Sequence, residues 1–286
     1  MANKNILVTG ANGQLGKEMQ VISVLYPACN FLFVTKEELT VDDTPAVKNY
    51  FNTHNIDVCI NCAAYTAVDK AETETQKAFS INAAAVGNLA TLCKQKNILF
   101  IHISTDYVFD GTAAAPYKED HPVKPVNAYG ASKLKGEELA FENNPETIII
   151  RTSWVYSSFG NNFVKTMLRL MKERENINVV SDQQGCPTYA ADLAAAIMQI
   201  INSDKKTAGI FNFCNKGIIS WHQFAKVIKE LSHSNCVINA IPSSQYPTPA
   251  KRPNYSVLDT TKIQQTFNIE IPEWKESLKK CLQLLN

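Results

Sequence analysis

The sequence predicts an α/β fold: a doubly wound parallel sheet joined to a smaller C-terminal α/β domain. Three observations predict it. Short apolar, β-branched runs alternate with longer amphipathic ones through the first half. A glycine-rich turn, Gly10 to Gly16, separates the first apolar run from the first helical pattern. After residue 156 the alternation loosens, as expected of a second, smaller unit.

The runs 5–10, 31–35, 57–63, 98–105 and 147–156 read as strands. Their near-continuous apolar content suits strands buried on both faces. The stretches Gln14–Leu25, Pro45–His54 and Ala78–Lys96 between them read as helices. Strand–helix alternation of this kind implies right-handed crossovers. Later, 161–174, 190–201, 221–232 and 273–285 read as helices, 177–188 as extended and 210–214 as a strand. Four prolines between Ile241 and Pro253 forbid a regular element there. At roughly 150 residues per domain, the 286 residues make about two domains, expected at 1–156 and 157–286 and interleaved.

Charge is balanced, with 28 Lys and Arg against 27 Asp and Glu. No dense basic run stands out, so a nucleic-acid partner is not expected. No apolar run approaches the ~18 residues that cross a bilayer, and the opening MANKN-ILVTG is too short in apolar residues for a secretory signal. With eight scattered cysteines, the expectation is a cytoplasmic protein with reduced thiols and no membrane contact. Cys59 and Cys62 form a C-x-x-C without a second pair at zinc spacing, inside an apolar run where Cys acts as a small hydrophobe. No metal site is expected.

Gly10, Gly13 and Gly16 permit a tight turn and let backbone N–H groups approach a pyrophosphate at a helix N-terminus. The placement, after a strand and before a helix, marks a Rossmann-like dinucleotide site, although the spacing is G-x-x-G-x-x-G. A nucleotide-triphosphatase loop is excluded, because Ala11 and Glu18 stand where it needs Gly and Ser or Thr. Thr35 ends the second strand, where an NAD-specific enzyme places a carboxylate on the adenosine ribose, and Lys36 follows. NADPH is therefore the expected cofactor, with Glu37 and Glu38 leaving NADH open.

Tyr129 and Lys133 stand four apart in a helical pattern, so phenol and ammonium share one face. A neighbouring Lys⁺ is expected to lower the Tyr pKa from about 10 towards the working range. Thr105 ends the fourth strand at the carboxyl edge, where such sheets bind ligands. Its hydroxyl can hydrogen-bond a substrate oxygen.

With these residues the sequence resembles the extended short-chain dehydrogenase/reductases and, among them, the dTDP-4-dehydrorhamnose reductase family. The likeness extends through 61–72, 104–111, 151–156, 160–170, 182–188 and 246–256, nearly the whole chain. It implies Tyr129 as proton donor, Lys133 as holder of the nicotinamide ribose, and Thr105 positioning a sugar ketone. It implies cofactor contacts at Gly10, Asn12, Gly13, Gln14, Leu15, Gly16, Thr35, Ala64, Tyr65 and Thr66, and substrate contacts at Thr105, Asp106, Trp154 and Arg252. Two acidic positions of the family fall on Thr35 and Thr40, which leaves the choice of nicotinamide open. Some relatives hold Mg²⁺ at a dimer contact; Glu18 matches one of the acidic positions and Ala191 replaces another. The implied reaction is reduction of the C4 ketone of dTDP-4-dehydro-L-rhamnose to dTDP-L-rhamnose by NAD(P)H, in a homodimer. Tyr107, standing where the related dehydratases carry a Glu, favours simple reduction over dehydration. The alternatives are a reductase or epimerase of another nucleotide 4-keto-sugar, and a non-catalytic subunit resembling the regulatory subunit of methionine adenosyltransferase.

Overall fold

The structure is a computed structural model that describes residues 4–205 and 207–285. Met1, Ala2 and Asn3 of the expected leaderless N-terminus, Lys206, and Asn286 at the end of the expected second domain lie outside the described residues.

The first half runs β1 (Lys4–Thr9), α1 (Gln14–Ser23), β2 (Cys29–Val34), α2 (Thr44–Thr53), β3 (Val58–Asn61), α3 (Val68–Ala71), α4 (Thr75–Phe79), α5 (Ala85–Gln95), β4 (Leu99–Thr105), α6 (Ala128–Asn143) and β5 (Ile148–Thr152). A π-helical turn, Ser80–Ala84, joins α4 to α5. The second half runs β6 (Val155–Tyr156), α7 (Phe163–Glu173), β7 (Asn176–Val180), β8 (Gln184–Gly185), β9 (Thr188–Tyr189), α8 (Ala190–Asn202), β10 (Gly209–Asn212), β11 (Ile219–Ser220), α9 (Trp221–Leu231), β12 (Val237–Ile241), α10 (Thr261–Phe267) and α11 (Trp274–Gln283).

Among the described residues six strands form one parallel sheet, in the order β10-β5-β4-β3-β1-β2. The alternation along its strands explains why it is wound on both faces. Ile6 and Val8 point into one apolar layer with Leu15 and Met19 of α1, Leu193 and Ile197 of α8, and Phe267 of α10. Leu7, Cys59, Phe100 and Ile149 point into the other, against Phe51 of α2, Leu89 of α5 and Ala140 of α6. Each strand thus buries apolar side chains on both sides, which only a crossover on each face can cover. Strand order reverses between β1 and β3, opening a crevice at their carboxyl ends. Although α8 and β10 lie beyond residue 156, they complete this sheet and its first layer.

A third apolar cluster joins Val164 and Met167 of α7, Phe224 and Ile228 of α9, and Leu278 and Cys281 of α11. Short pairs brace it: β7 with β12 and β6 with β9 in parallel, β8 with β11 antiparallel. The elements without a counterpart in the sequence pattern include the short α3 and β11 as well as β12 and α10. The strand β12 has an exposed edge and little alternation, and α10 is only 7 residues long. No helix among the described residues is long and apolar enough to cross a membrane.

Candidate active site

At the carboxyl ends of β1, β3, β4 and β5 lies an open cavity of about 900 Å³. Its floor begins at the turn after β1. Gly10 has φ +65°, and a Cβ there would stand 2.7 Å from the Ala63 backbone nitrogen. A Cβ on Gly16 would stand 2.4 Å from the Gly10 carbonyl oxygen, so the helix can start this close to the strand only without side chains. Gly13 caps α1 with no side-chain hydrogen bond, leaving the first N–H groups of the helix facing the cavity. Asn12, Gln14 and Leu15 line the same turn. The chain leaving β3 supplies Ala64, Tyr65 and Thr66. The Asn82 amide of the π-turn fixes this segment: its Oδ1 accepts from Tyr65 N–H at 2.8 Å and its Nδ2 donates to the Tyr65 carbonyl at 3.0 Å. This backbone cradle fits a pyrophosphate beside α1.

Thr35 is not among the lining residues. Its N–H donates to the Glu38 carboxylate at 2.8 Å, and the next residues, Lys36 and Glu37, reach the rim instead. Of the residues at the end of β2, Lys36 and Glu37 rather than Thr35 border the cavity.

The proton-transfer residues do converge. Thr105, Tyr129 and Lys133 all line the cavity, with Asp106 and Tyr107 between them. Asn127 caps α6 by accepting from Gly130 N–H at 2.7 Å, which sets the helix start just ahead of Tyr129. Tyr107 meets the Tyr129 ring edge-on at 5.8 Å. Burial pushes the Tyr129 phenol up to about 12, with the Thr105 hydroxyl opposing the rise and Asp106 adding to it. This corrects the expectation that Lys133 draws the phenol down. The Lys133 Nζ donates to the Ile103 carbonyl at 2.7 Å and meets His102 Nε2 at 3.3 Å, so burial governs the phenol. A phenol that keeps its proton at neutral pH is the form a proton donor needs. Burial also draws the Lys133 ammonium down to about 8, against Glu137 and Cys62.

Thr105 Oγ1 donates to Asp106 Oδ1 at 3.0 Å and accepts from Tyr107 N–H at 3.2 Å. Burial lifts the Asp106 carboxyl to about 7, against hydrogen bonds from Ser256, Thr105 and the backbone. Trp154 takes φ 47°, and its ring stacks on Trp221 at 3.5 Å and 11°. Both rings line the cavity while packing on the third apolar cluster, so Trp154 serves the wall and the core at once. Arg252 does not line the cavity. Its guanidinium grips the Asp69 carboxylate with a fork at 2.9 and 3.1 Å, tying the proline-rich loop to α3.

Four residues of the site escaped the sequence reading. Trp221 reads as the first residue of an amphipathic helix, and Asn82 sits within an Ala-rich helical run. Glu137 and Arg151 form a buried ion pair with Nη2–Oε2 2.6 Å and Nε–Oε1 2.9 Å, which clamps α6 onto β5. Their separation along the chain hides the pair, although Arg151 after the apolar run 148–150 was a signal.

A family model described as the RmlD substrate binding domain matches residues 4–286. A dTDP-4-dehydrorhamnose reductase of Aggregatibacter actinomycetemcomitans is 41% identical over 284 residues, covering 96% of this chain and 97% of that protein. The crystal structure of a dTDP-4-dehydrorhamnose reductase from Clostridium acetobutylicum superposes with a TM-score of 0.94 at 41% identity, covering 98% of this chain and 99% of that one. A Bacillus anthracis dTDP-4-dehydrorhamnose reductase, solved in complex with NADP, superposes with a TM-score of 0.94 at 37% identity, covering 98% and 99% of the two chains.

Proposed function

The chain belongs to the RmlD substrate binding domain family, and from that premise we propose that it reduces the C4 ketone of dTDP-4-dehydro-L-rhamnose to dTDP-L-rhamnose at the expense of NADPH. The observation that carries this reading is the convergence of Thr105, Tyr129 and Lys133 on one cavity with the Gly10–Gly16 cradle. The fit to a dinucleotide rests on that cradle, whose close packing a Cβ at Gly10 or Gly16 would force apart. Gly10, Asn12, Gly13, Gln14, Leu15 and Gly16 would hold the pyrophosphate, Ala64, Tyr65 and Thr66 the middle of the cofactor, and Lys133 the nicotinamide ribose. When bound, the nicotinamide supplies hydride to the sugar carbon.

The chain's own residues do the rest. Thr105 Oγ1 and the Tyr129 phenol hydrogen-bond the ketone oxygen and orient the carbonyl. As negative charge builds on that oxygen, Tyr129 delivers its proton, and the Thr105 hydroxyl stabilises the phenolate left behind. Trp154, stacked on Trp221, and Asp106 frame the sugar. Arg252 approaches the diphosphate only by exchanging its bond to Asp69. On this reading residues 1–156 hold the cofactor and 157–286 frame the sugar. Lys36 at the rim favours a 2′-phosphate, and Glu37 beside it keeps NADH within reach.

The test is parallel consumption of NADPH and NADH with dTDP-4-keto-L-rhamnose generated in situ. Turnover to dTDP-L-rhamnose, faster with NADPH, is expected. Tyr129→Phe should lose at least about a hundredfold in kcat, the usual contribution of a positioned acid, while still binding cofactor. Cofactor binding without turnover by the wild-type chain would refute the assignment and point to another keto sugar or to a binding role.

A further inference from the structure

Beneath Lys133 the apolar face of the sheet gives way to a row of polar side chains. Thr9, Asn61 and His102 are lateral neighbours on β1, β3 and β4. Each follows an apolar residue of the same face: Leu7, Cys59 and Phe100. All three are fully or almost fully buried, at 0%, 1% and 0% exposure. They form one hydrogen-bonded chain. Thr9 Oγ1 lies 2.7 Å from Asn61 Oδ1, Asn61 Nδ2 lies 3.1 Å from His102 Nδ1, and His102 Nε2 lies 3.3 Å from Lys133 Nζ.

The donors and acceptors of this chain can be counted. Burial, with Lys133 alongside, holds His102 well below its usual range, so the ring is neutral and carries one N–H. If the Asn61 amide donates to Nδ1, the ring proton sits on Nε2, and Lys133 must accept it as an amine. If Lys133 is an ammonium and donates to Nε2, the ring proton sits on Nδ1 and needs the Asn61 carbonyl, with the amide turned over. The amide nitrogen then donates to Thr9 Oγ1. Each charge state of Lys133 therefore pairs with one imidazole tautomer and one amide orientation. Ionisable groups also face Lys133 from the residue after β3 (Cys62) and from its own helix (Glu137), and Tyr129 lines the same cavity. Glu137 is itself held by Arg151 of β5. Of these groups His102 alone hydrogen-bonds the Lys133 Nζ, and its ring can change from acceptor to donor without changing charge.

We propose that His102 is a positioning residue for Lys133: it holds that nitrogen in place whether charged or neutral, moving its ring proton between Nδ1 and Nε2 in step with the Asn61 amide. The proton balance closes. One proton leaves the Lys133–His102 pair for the cavity, and the ring keeps the other. The inference deepens the reductase reading, since a Lys133 that stays in register while titrating can hold the nicotinamide ribose through the cycle.

The first experiment follows the ring nitrogens of ¹⁵N-histidine-labelled full-length protein by NMR from about pH 6 to about pH 10, around the Lys133 transition. The His102 signals are identified by their loss in His102→Gln. The expected result is a neutral ring throughout, protonated on Nδ1 at the low end and on Nε2 at the high end. A single tautomer over the whole range, or an imidazolium signature, overturns the proposal. The second experiment is the pH profile of kcat/KM. His102→Leu should move the basic limb down by about one pH unit, roughly a tenfold rate loss at a fixed alkaline pH. His102→Gln, whose amide can accept or donate, should restore it. Equal profiles for the two variants argue for mere packing and overturn the proposal. Should no keto sugar be reduced, the NMR result still stands or falls by itself, so the two readings fail separately.

Discussion

At the scale of single residues, Asp106 and Lys133 are two of the site's groups whose ionisation is set by burial, and each has a consequence that can be measured. The Asp106 carboxyl rises from 3.8 to about 7 in the folded chain. The folded state therefore binds this proton more tightly than the unfolded one, and stability falls as pH climbs from 3.8 through about 7. The rise corresponds to roughly 4 kcal/mol at most. Asp106→Asn removes this slope, so its advantage in Tm over the wild type should widen between about pH 4 and about pH 8, where the carboxylate is charged. Turnover should fall in the same variant, as expected where a buried charge is kept for function. An equal Tm difference at both ends would show that burial does not govern this group. Lys133 titrates in the opposite sense, drawn from 10.5 to about 8. If the charged ammonium is what holds the nicotinamide ribose, kcat/KM for reduction should fall as pH rises through about 8, and a profile flat to about pH 10 would show that the charge is not needed.

At the scale of elements, most of the site depends on how α6 sits against the sheet. The Ser104 hydroxyl donates to Glu137, and the Arg151 guanidinium holds both its carboxylate oxygens, at 2.9, 3.2 and 2.6 Å. Removing one partner leaves a buried charge alone, so Glu137→Ala should destabilise by about 3–5 kcal/mol in denaturant unfolding. Pairing it with Arg151→Met should recover much of that loss, since a well-packed apolar pair avoids desolvation altogether. If the double variant is as unstable as the sum of the singles, the pair carries no coupling. Gly136 completes the seat: a Cβ there would stand 2.0 Å from the Asn82 carbonyl oxygen. These contacts explain what could be read from the sequence. Strands β1 to β5 were legible as continuous apolar runs buried on both faces, and helices α1 and α2 as amphipathic stretches between them. The Gly10–Gly16 turn and the Tyr129–Lys133 pair were legible because their chemistry is local. Asn82, Trp221 and the Glu137–Arg151 clamp were not, because each acts on a partner brought close only by the sheet. His102 lies between Ile101 and Ile103 in β4, and its partners, Asn61 on β3 and Lys133 on α6, are distant in the chain.

At the scale of the whole molecule, the cavity is a joint product of the sheet and the later part of the chain. Gln14 at the start of α1 accepts from Asn162 Nδ2 at 2.9 Å, at the cap of α7. Ser157 likewise donates to Glu18 of α1, so the helix beside the cradle is tied to the smaller apolar cluster. A ligand lying along this cavity touches parts that must otherwise separate on unfolding, and its binding energy should appear as stability of the entire fold. For one site the gain is RT ln(1 + [L]/Kd), about 2.7 kcal/mol at a hundred times Kd. This linkage gives the cofactor question a readout that needs no substrate. The rim at the end of β2 carries Lys36 and Glu37 and no carboxylate at Thr35. If Lys36 recognises a 2′-phosphate, NADPH at a fixed concentration should raise Tm more than NADH does. Lys36→Ala should bring the NADPH shift down to the NADH value and leave the NADH shift unchanged, because the adenosine hydroxyl makes no use of the ammonium. Raising salt should narrow the gap in the wild type, as an exposed ion pair is screened within about 8–10 Å at physiological ionic strength. Equal shifts for the two cofactors in the wild type would mean that Lys36 points to solvent and that the site accepts either nicotinamide on its backbone cradle alone.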